Sequence, residues 1–357
     1  MKIKKAEAVC FTVNFIVAKL FISAPGAFIN IGKNAAWIAV LLNAAAAYLS
    51  FLFIYWLYKK NKKREIFSFL PPFLKKAVGI TVSFYLIISA GIGLALLIRG
   101  VIRTFMPETP SFIISLLFLS ATLYAAKKGL IANVRLSVLA FPLLLIIPFV
   151  ALALTPHIEP TNFFPILGDG NFFLRSLFGF NFFADFFVFY LLIPYFENEK
   201  DIFKTGSMII GISTALCLLV VVSSTLTIPY QANFVSHFYQ MLTFMAGSNS
   251  VINIIKVFKL VFLINFFLYV SGAAASYTLG ETFDLKYPES TVFILSLLII
   301  MTEEISYKTL TGPEAYERFM SWGHITFPLI VALSYLFGRR GKNEKNISSG
   351  SGSFNAL

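Results

Sequence analysis

Charge is what this chain has least of. Asp, Glu, Lys and Arg make up 13% of its 357 residues, about half the share of a soluble domain. So few charges cannot cover a water-facing surface of that size, which excludes a soluble enzyme. Two cysteines, Cys10 and Cys217, each lie in an apolar run and support neither a disulfide framework nor a zinc site. The three histidines, His157, His237 and His324, lack metal-ligand spacing, so no metal and no cofactor is expected. HExxH, GxSxG and Walker patterns are missing, as are paired carboxylates inside an apolar run. Gly91-Ile92-Gly93 lies within an apolar run rather than after a strand, so it is no nucleotide site, and no enzymatic chemistry is expected. No short apolar core ends in a small-x-small site behind Lys2, Lys4 and Lys5, so no cleavable signal is expected either.

What is present is hydrophobic. Apolar residues reach 58%, Phe alone counts 41, and the mean hydropathy is +0.80. A membrane-spanning helix needs about 20 mainly apolar residues. Ten stretches qualify: Ala8–Ile31, Ala35–Tyr58, Ala77–Ile102, Ser111–Ala126, Leu130–Leu154, Asn171–Phe196, Thr205–Pro229, Ile255–Glu281, Glu289–Thr302 and Ser321–Gly338. The expected class is an all-α polytopic membrane protein, with one membrane domain over 1–338 and a flexible Ser/Gly-rich tail over 339–357. The loops Tyr230–Ile254 and Glu303–Met320 space apolar residues among polar ones; they read as surface helices capping the bundle or as a partner-binding face.

The net charge of +12 belongs to the loops. Ten spans place both termini on one side, and 20 of the 29 basic residues fall there, in clusters such as Lys59–Arg64, Lys127-Lys128 and Arg339-Arg340. The other side has 8, and Lys19 lies inside the first span. That asymmetry puts both termini in the cytoplasm and makes the lipid bilayer, not nucleic acid, the partner of the basic residues.

Ten spans divide into two sets of five, over about 8–154 and 171–338. An odd number per half inverts the second half, the arrangement of many secondary transporters, whose sites form where one helix of each half is broken. Ser23-Ala24-Pro25-Gly26 interrupts the first span and Gly179-Phe180-Asn181 interrupts the sixth. Pro142 and Pro148 read as kinks in the fifth.

Two ionisable residues lie deep in spans, Lys19 in the first and Asp185 in the sixth. A charge at the bilayer centre costs about 2.5–3.5 kcal/mol, so such groups face the bundle interior and find partners. First and sixth helices are neighbours in an inverted repeat, which allows Lys19 to pair with Asp185. The pair is either a structural tie between helices or part of a site in which Lys19 meets a substrate carboxylate or the pair titrates with transport. Snorkelling does not suit Lys19, which is far from either end. Freed N–H and C=O groups at broken helices suit the two charged ends of an amino acid. Ser23 and Asn181 would add hydrogen bonds, and Phe178, Phe180, Phe182 and Phe183 an apolar lid. In the eighth span, Ser271-Gly272-Ala273-Ala274-Ala275-Ser276 is a small-residue run, read as close helix packing or as a ligand-facing wall through Ser271 and Ser276.

Several stretches resemble a known family. Lys127-Lys128-Gly129-Leu130, followed by Arg135-Leu136 and Phe141-Pro142, is similar to the fifth-helix region of spore germination receptor B subunits. Asn162-Phe163-Phe164-Pro165-Ile166-Leu167-Gly168-Asp169-Gly170 resembles their N-x-x-P-I-L-G-x-G loop, and Leu192-Ile193-Pro194-Tyr195-Phe196 the end of their sixth helix. The resemblance implies membership of the amino acid–polyamine–organocation superfamily and the LeuT-like five-plus-five inverted repeat. It implies residence in the inner membrane of the bacterial endospore, partnership with A-type and C-type receptor subunits, and binding of a small-molecule germinant, often an amino acid. The family's first helix usually carries a G-x-G break ahead of its proline. Here that position reads Ala18-Lys19-Leu20, so a lysine stands where the pocket is expected, to substitute for a cation or to bind a germinant carboxylate. Asp185 is matched loosely to an acidic residue of the family's sixth helix. The alternative to a germinant sensor is a proton-coupled amino acid secondary transporter; a ligand-free scaffold for partner subunits is the third.

Overall fold

The computed structural model describes residues 2–21, 24–61, 72–104, 108–145, 159–166, 182–227, 271–280 and 285–296, together with 173, 176, 177, 282, 283 and 329. Among them the chain is helical, and its one β-bridge is isolated. The tail 339–357, the two long loops and nearly all of the expected tenth span lie outside the described residues.

The first span is broken. Helix α1 covers Lys5–Val17 and opens with the Glu7 carboxylate accepting the Lys4 backbone N–H at 2.8 Å, which satisfies one of the orphan donors of the helix start. It gives way to a 3₁₀ turn at Ala18–Phe21, and helix α2 follows at Ala24–Gly32. The sequence reading placed the interruption at Ser23–Gly26. Instead Pro25 and Gly26 lie in the first turn of α2, where a missing N–H costs nothing, and the tighter backbone precedes them. A second 3₁₀ turn, Lys33–Ala35, carries Lys33 at φ 50 and leads into α3, Ala36–Asn61.

Helix α4 spans Pro72–Thr104, α5 Ser111–Lys127 and α6 Leu130–Ala140, with a 3₁₀ continuation at Phe141–Leu145. The axis turns by 117° between α5 and α6. Gly129 makes that turn at φ +82, a conformation that strains any side chain although open space surrounds the position. Asn133 Nδ2 donates to the Ala125 and Gly129 carbonyls, each at 2.9 Å, and so covers two oxygens the turn exposes.

The sixth span is irregular where described. A turn at 182–183 and a 3₁₀ turn at Ala184–Phe186 precede the short helix α7, Phe187–Leu192, which ends in a 3₁₀ turn at Ile193–Tyr195. Helix α8 follows at Glu199–Thr227. Residues 271–280 and 288–296 form two more helices, α9 and α10. Two helical runs, Ala24–Lys60 and Glu199–Thr227, are long and apolar enough to cross a membrane, and the bent pair α5–α6 makes a third if taken as one span. Exposed apolar side chains such as Leu49, Phe84, Leu117 and Leu139 suit contact with acyl chains.

Contacts order the chain between two ends. At one end the Ile3 N–H donates to the Tyr195 carbonyl at 2.9 Å. Midway, Lys19 meets Phe182 and Asp185. Past the turn at Lys33–Ala35 the chain descends the same path, with Asn43 against Phe182 and Phe51 against Phe186 and Phe189. At the opposite end Asn34 donates to the Phe164 carbonyl, Trp37 stacks on Phe163 and the Glu159 N–H donates to Leu226 O at 3.0 Å.

Phe51 is the hub of the aromatic packing, with ring centroids 5.5 Å from Phe186 and 6.1 Å from both Phe189 and Phe203. Gly206 of α8 faces it so closely that a Cβ there would overlap the ring. Replacement of Gly206 by Val is expected to destabilise the purified protein by about 1–3 kcal/mol through overpacking. Gly211→Ala, on the same helix with nothing within 4 Å, serves as the control. Thermal unfolding in detergent checks the pair, and equal melting temperatures for the two variants would contradict this packing.

Candidate functional site

Ala18, Lys19 and Leu20 form the 3₁₀ turn after α1 and are fully buried. Lys19 starts about 20 Å along the axis from Lys5 at 1.5 Å per helical residue. Its ammonium forms an ion pair with Asp185 Oδ2 at 2.9 Å, and both side chains are completely shielded. It also donates a hydrogen bond to the Phe182 carbonyl at 2.7 Å and lies 5.8 Å from the centroid of the Phe182 ring.

That carbonyl is available because the backbone is not α-helical there. In a regular helix it would accept from the residue four positions on. The turn at 182–183 aims it at Lys19 instead, which is what a broken helix offers a cation in a low-dielectric site. Asp185 occupies the following 3₁₀ turn, and its Oδ1 accepts from the Tyr85 hydroxyl of α4 at 3.2 Å. Asn43 of α3 accepts from the Phe182 N–H at 3.2 Å through Oδ1, and its Nδ2 donates to the Ser176 carbonyl at 3.4 Å. Phe28 of α2 and Phe183 pack edge-on against the Phe182 ring at 6.2 and 5.1 Å. Cys217 of α8 is also buried.

Of the residues expected at the site, the structure brings together Ala18, Lys19, Leu20 and Asp185. Ser23, Gly179, Phe180 and Asn181 lie outside the described residues. Of the four Phe residues expected as an apolar lid, Phe182 and Phe183 are buried in the core, and Phe178 and Phe180 lie outside the described residues. Ser271 and Ser276 are buried on α9. Their helix packs closely: a Cβ on Gly272 would come within 2.7 Å of Thr122 Cγ2 of α5. The small-residue run therefore serves close packing at Gly272. Tyr85, Asn43 and the Phe182 carbonyl were not anticipated. Asn43 had a signal, since an amide in the middle of an apolar run needs a partner.

Among the described residues no group of His, Cys, Asp and Glu has metal-binding geometry. The arrangement holds a cation by a carboxylate, a carbonyl and an aromatic face, and it contains no nucleophile–base pair.

Removing one member of a buried pair strands the other charge and costs about 3–5 kcal/mol, whereas apolar replacement of both is often neutral. Lys19→Met and Asp185→Leu are therefore each expected to lower the melting temperature markedly, and the double variant to recover most of the loss. Additive losses in that cycle would show that the two side chains do not interact. Tyr85→Phe is expected to cost less, about 1.5–3 kcal/mol for a hydrogen bond to a charged group.

Comparison with known proteins agrees with this architecture. Residues 2–308 match the spore permease family, described as "Spore germination protein". "Spore germination protein KB" of Bacillus subtilis (strain 168) is similar at 28% identity over 200 residues, which is 52% of this chain and 53% of that protein. The chain thus spans about half the length of this curated relative in the matched region. An apolar helical bundle with a match across nearly the whole chain places it: it is a multi-pass membrane protein that belongs to the spore germination permease family.

Proposed function

We propose that the chain is the germinant-sensing membrane subunit of a spore germination receptor. In this reading it has ten spans in a LeuT-like inverted repeat, with halves over about 8–154 and 171–338. It resides in the inner membrane of the endospore with both termini, and the tail after 338, in the cytoplasm. A small molecule, an amino acid foremost, binds near the bilayer midplane where the first and sixth helices are interrupted. Binding moves the population between two arrangements of the bundle, and A-type and C-type subunits read that shift.

One observation carries the reading. Two interrupted helices meet in the core at a fully buried ammonium–carboxylate pair held by freed backbone. A bundle that only needed to pack would bury apolar side chains here at lower cost. Interruptions at matching depth supply the donors and acceptors that a small zwitterion requires. A ligand shifts such an equilibrium only through a preference for one state, and about 1.4 kcal/mol of preference is a tenfold shift. The names of the family and of the relative supply the link to germination.

The test is thermal stability of the purified protein against amino acids, nucleosides and sugars. A ligand at a hundred times its Kd adds about 2.7 kcal/mol to the folded state. The expected result is a selective rise with one chemical class, with spores carrying Lys19→Ala losing germinant response by more than they lose the protein itself. A flat profile across all compounds, with the partner subunits also present, would overturn the sensing role. Sustained uptake of labelled amino acid into proteoliposomes, driven by a proton gradient, would replace it with transport.

A further inference from the structure

We infer that the Phe182–Asp185 turn is a subsite for a primary alkylammonium group, and that this chain fills it from within with Lys19. Three partners of different chemistry converge on the ammonium: the Asp185 carboxylate at 2.9 Å, the Phe182 carbonyl at 2.7 Å and the Phe182 ring at 5.8 Å. The carboxylate offsets the charge, the carbonyl accepts an N–H, and the ring face adds attraction for a cation. Together they recognise a primary ammonium rather than a hydroxyl or an amide.

The receiving side of the subsite is built without help from α1. Tyr85 of α4 holds the far carboxylate oxygen, and Asn43 of α3 holds the Phe182 backbone through its N–H. Lys19 arrives from a separate segment, on a 3₁₀ turn, as an alkylammonium on a flexible stem. The parts that recognise the cation and the part that supplies it therefore stand on different elements. Such a site can be emptied by truncating Lys19 while its walls remain.

The consequence concerns ligand class, and it rests on the sensing role proposed above. With Lys19 in place, a germinant does not put its own ammonium against Asp185. It engages this part of the pocket through a carboxylate or an uncharged polar group. The subsite itself is testable with no germinant at all.

Lys19→Ala removes the side chain from Cγ to Nζ, the atoms of n-propylammonium. The experiment is a titration of the purified Lys19→Ala protein with n-propylammonium, read as melting temperature. The variant is expected to melt lower than the unmutated protein and to regain at least half of the loss, saturably. 1-Propanol, which lacks the charge, and tetramethylammonium, which lacks N–H donors, are expected to restore nothing. The unmutated protein and Lys19→Ala/Asp185→Ala are expected not to respond. No recovery in a folded Lys19→Ala protein, equal recovery with 1-propanol, or the same shift in the unmutated protein would each overturn the subsite. Should Lys19→Ala fail to fold alone, the yield of folded protein from cells grown with n-propylammonium is compared with that from cells grown with 1-propanol. Equal yields would also overturn it. Recovery by n-propylammonium without any germinant response would leave the subsite standing and remove the sensing role.

Discussion

The structure depends on burying one ammonium and one carboxylate where water and lipid headgroups are out of reach. Neither charge is tolerated there alone, so Lys19 and Asp185 must be level with each other and in contact. That requirement fixes more than a distance. It sets the first and sixth segments side by side, and it sets their relative height. The backbone answers with 3₁₀ turns at both residues, and the carbonyl released at Phe182 becomes the ammonium's second oxygen partner. The break in the helix and the charge are one device, since a regular helix would have no carbonyl to offer.

The rest of the bundle encloses that device by close approach and by polar ties, the two means available where lipid is as apolar as any side chain. Asn14 of α1 donates to the Ser137 carbonyl of α6 at 2.8 Å, which anchors the first helix just before its break. Phe51 fills the space that Gly206 leaves on α8. Five Ser and Thr residues of α8 hydrogen-bond within their own helix. Thr214, Ser223, Ser224, Thr225 and Thr227 each donate to the carbonyl four residues earlier, so a polar sequence can lie in an apolar environment.

Much of this was legible in the sequence, for reasons that differ by residue. Lys19 and Asp185 stand out because a charge inside an apolar run is costly and must be matched. Their pairing was expected because an inverted repeat would make the first and sixth helices neighbours. The turn at Gly129 was visible as Lys127-Lys128-Gly129 between two apolar runs. The Phe182 carbonyl was not legible, because every residue carries one and only the local backbone decides whether it is free. Tyr85 was hidden for a related reason: an aromatic in a chain with 41 Phe draws no notice until its hydroxyl has a partner. The resemblance placed the break at Ala18-Lys19-Leu20, where the 3₁₀ turn lies, whereas the reading centred on proline set it a few residues late. Proline tolerates the first turn of a helix, so it marks where helix resumes rather than where it fails.

The first and sixth segments are joined at two heights. At one end the Ile3 N–H meets the Tyr195 carbonyl, with Ile3 and Phe196 both buried. Near the centre the ion pair closes the same interface. Between these points α1 and α7 form one strip, although α1 packs more extensively against α6 and α8. A rearrangement that pulls the strip apart loses a buried ion pair and a buried backbone hydrogen bond at once. Moving α1 and α7 together against α6 and α8 instead gives up the packing of α1 on those helices and the buried Asn14–Ser137 hydrogen bond, but it leaves the ion pair whole. Conformational change in a packed core proceeds between discrete arrangements, and the one that preserves buried charges costs less. The ion pair thereby ties the first and sixth segments to each other more firmly than their backbone hydrogen bond alone would.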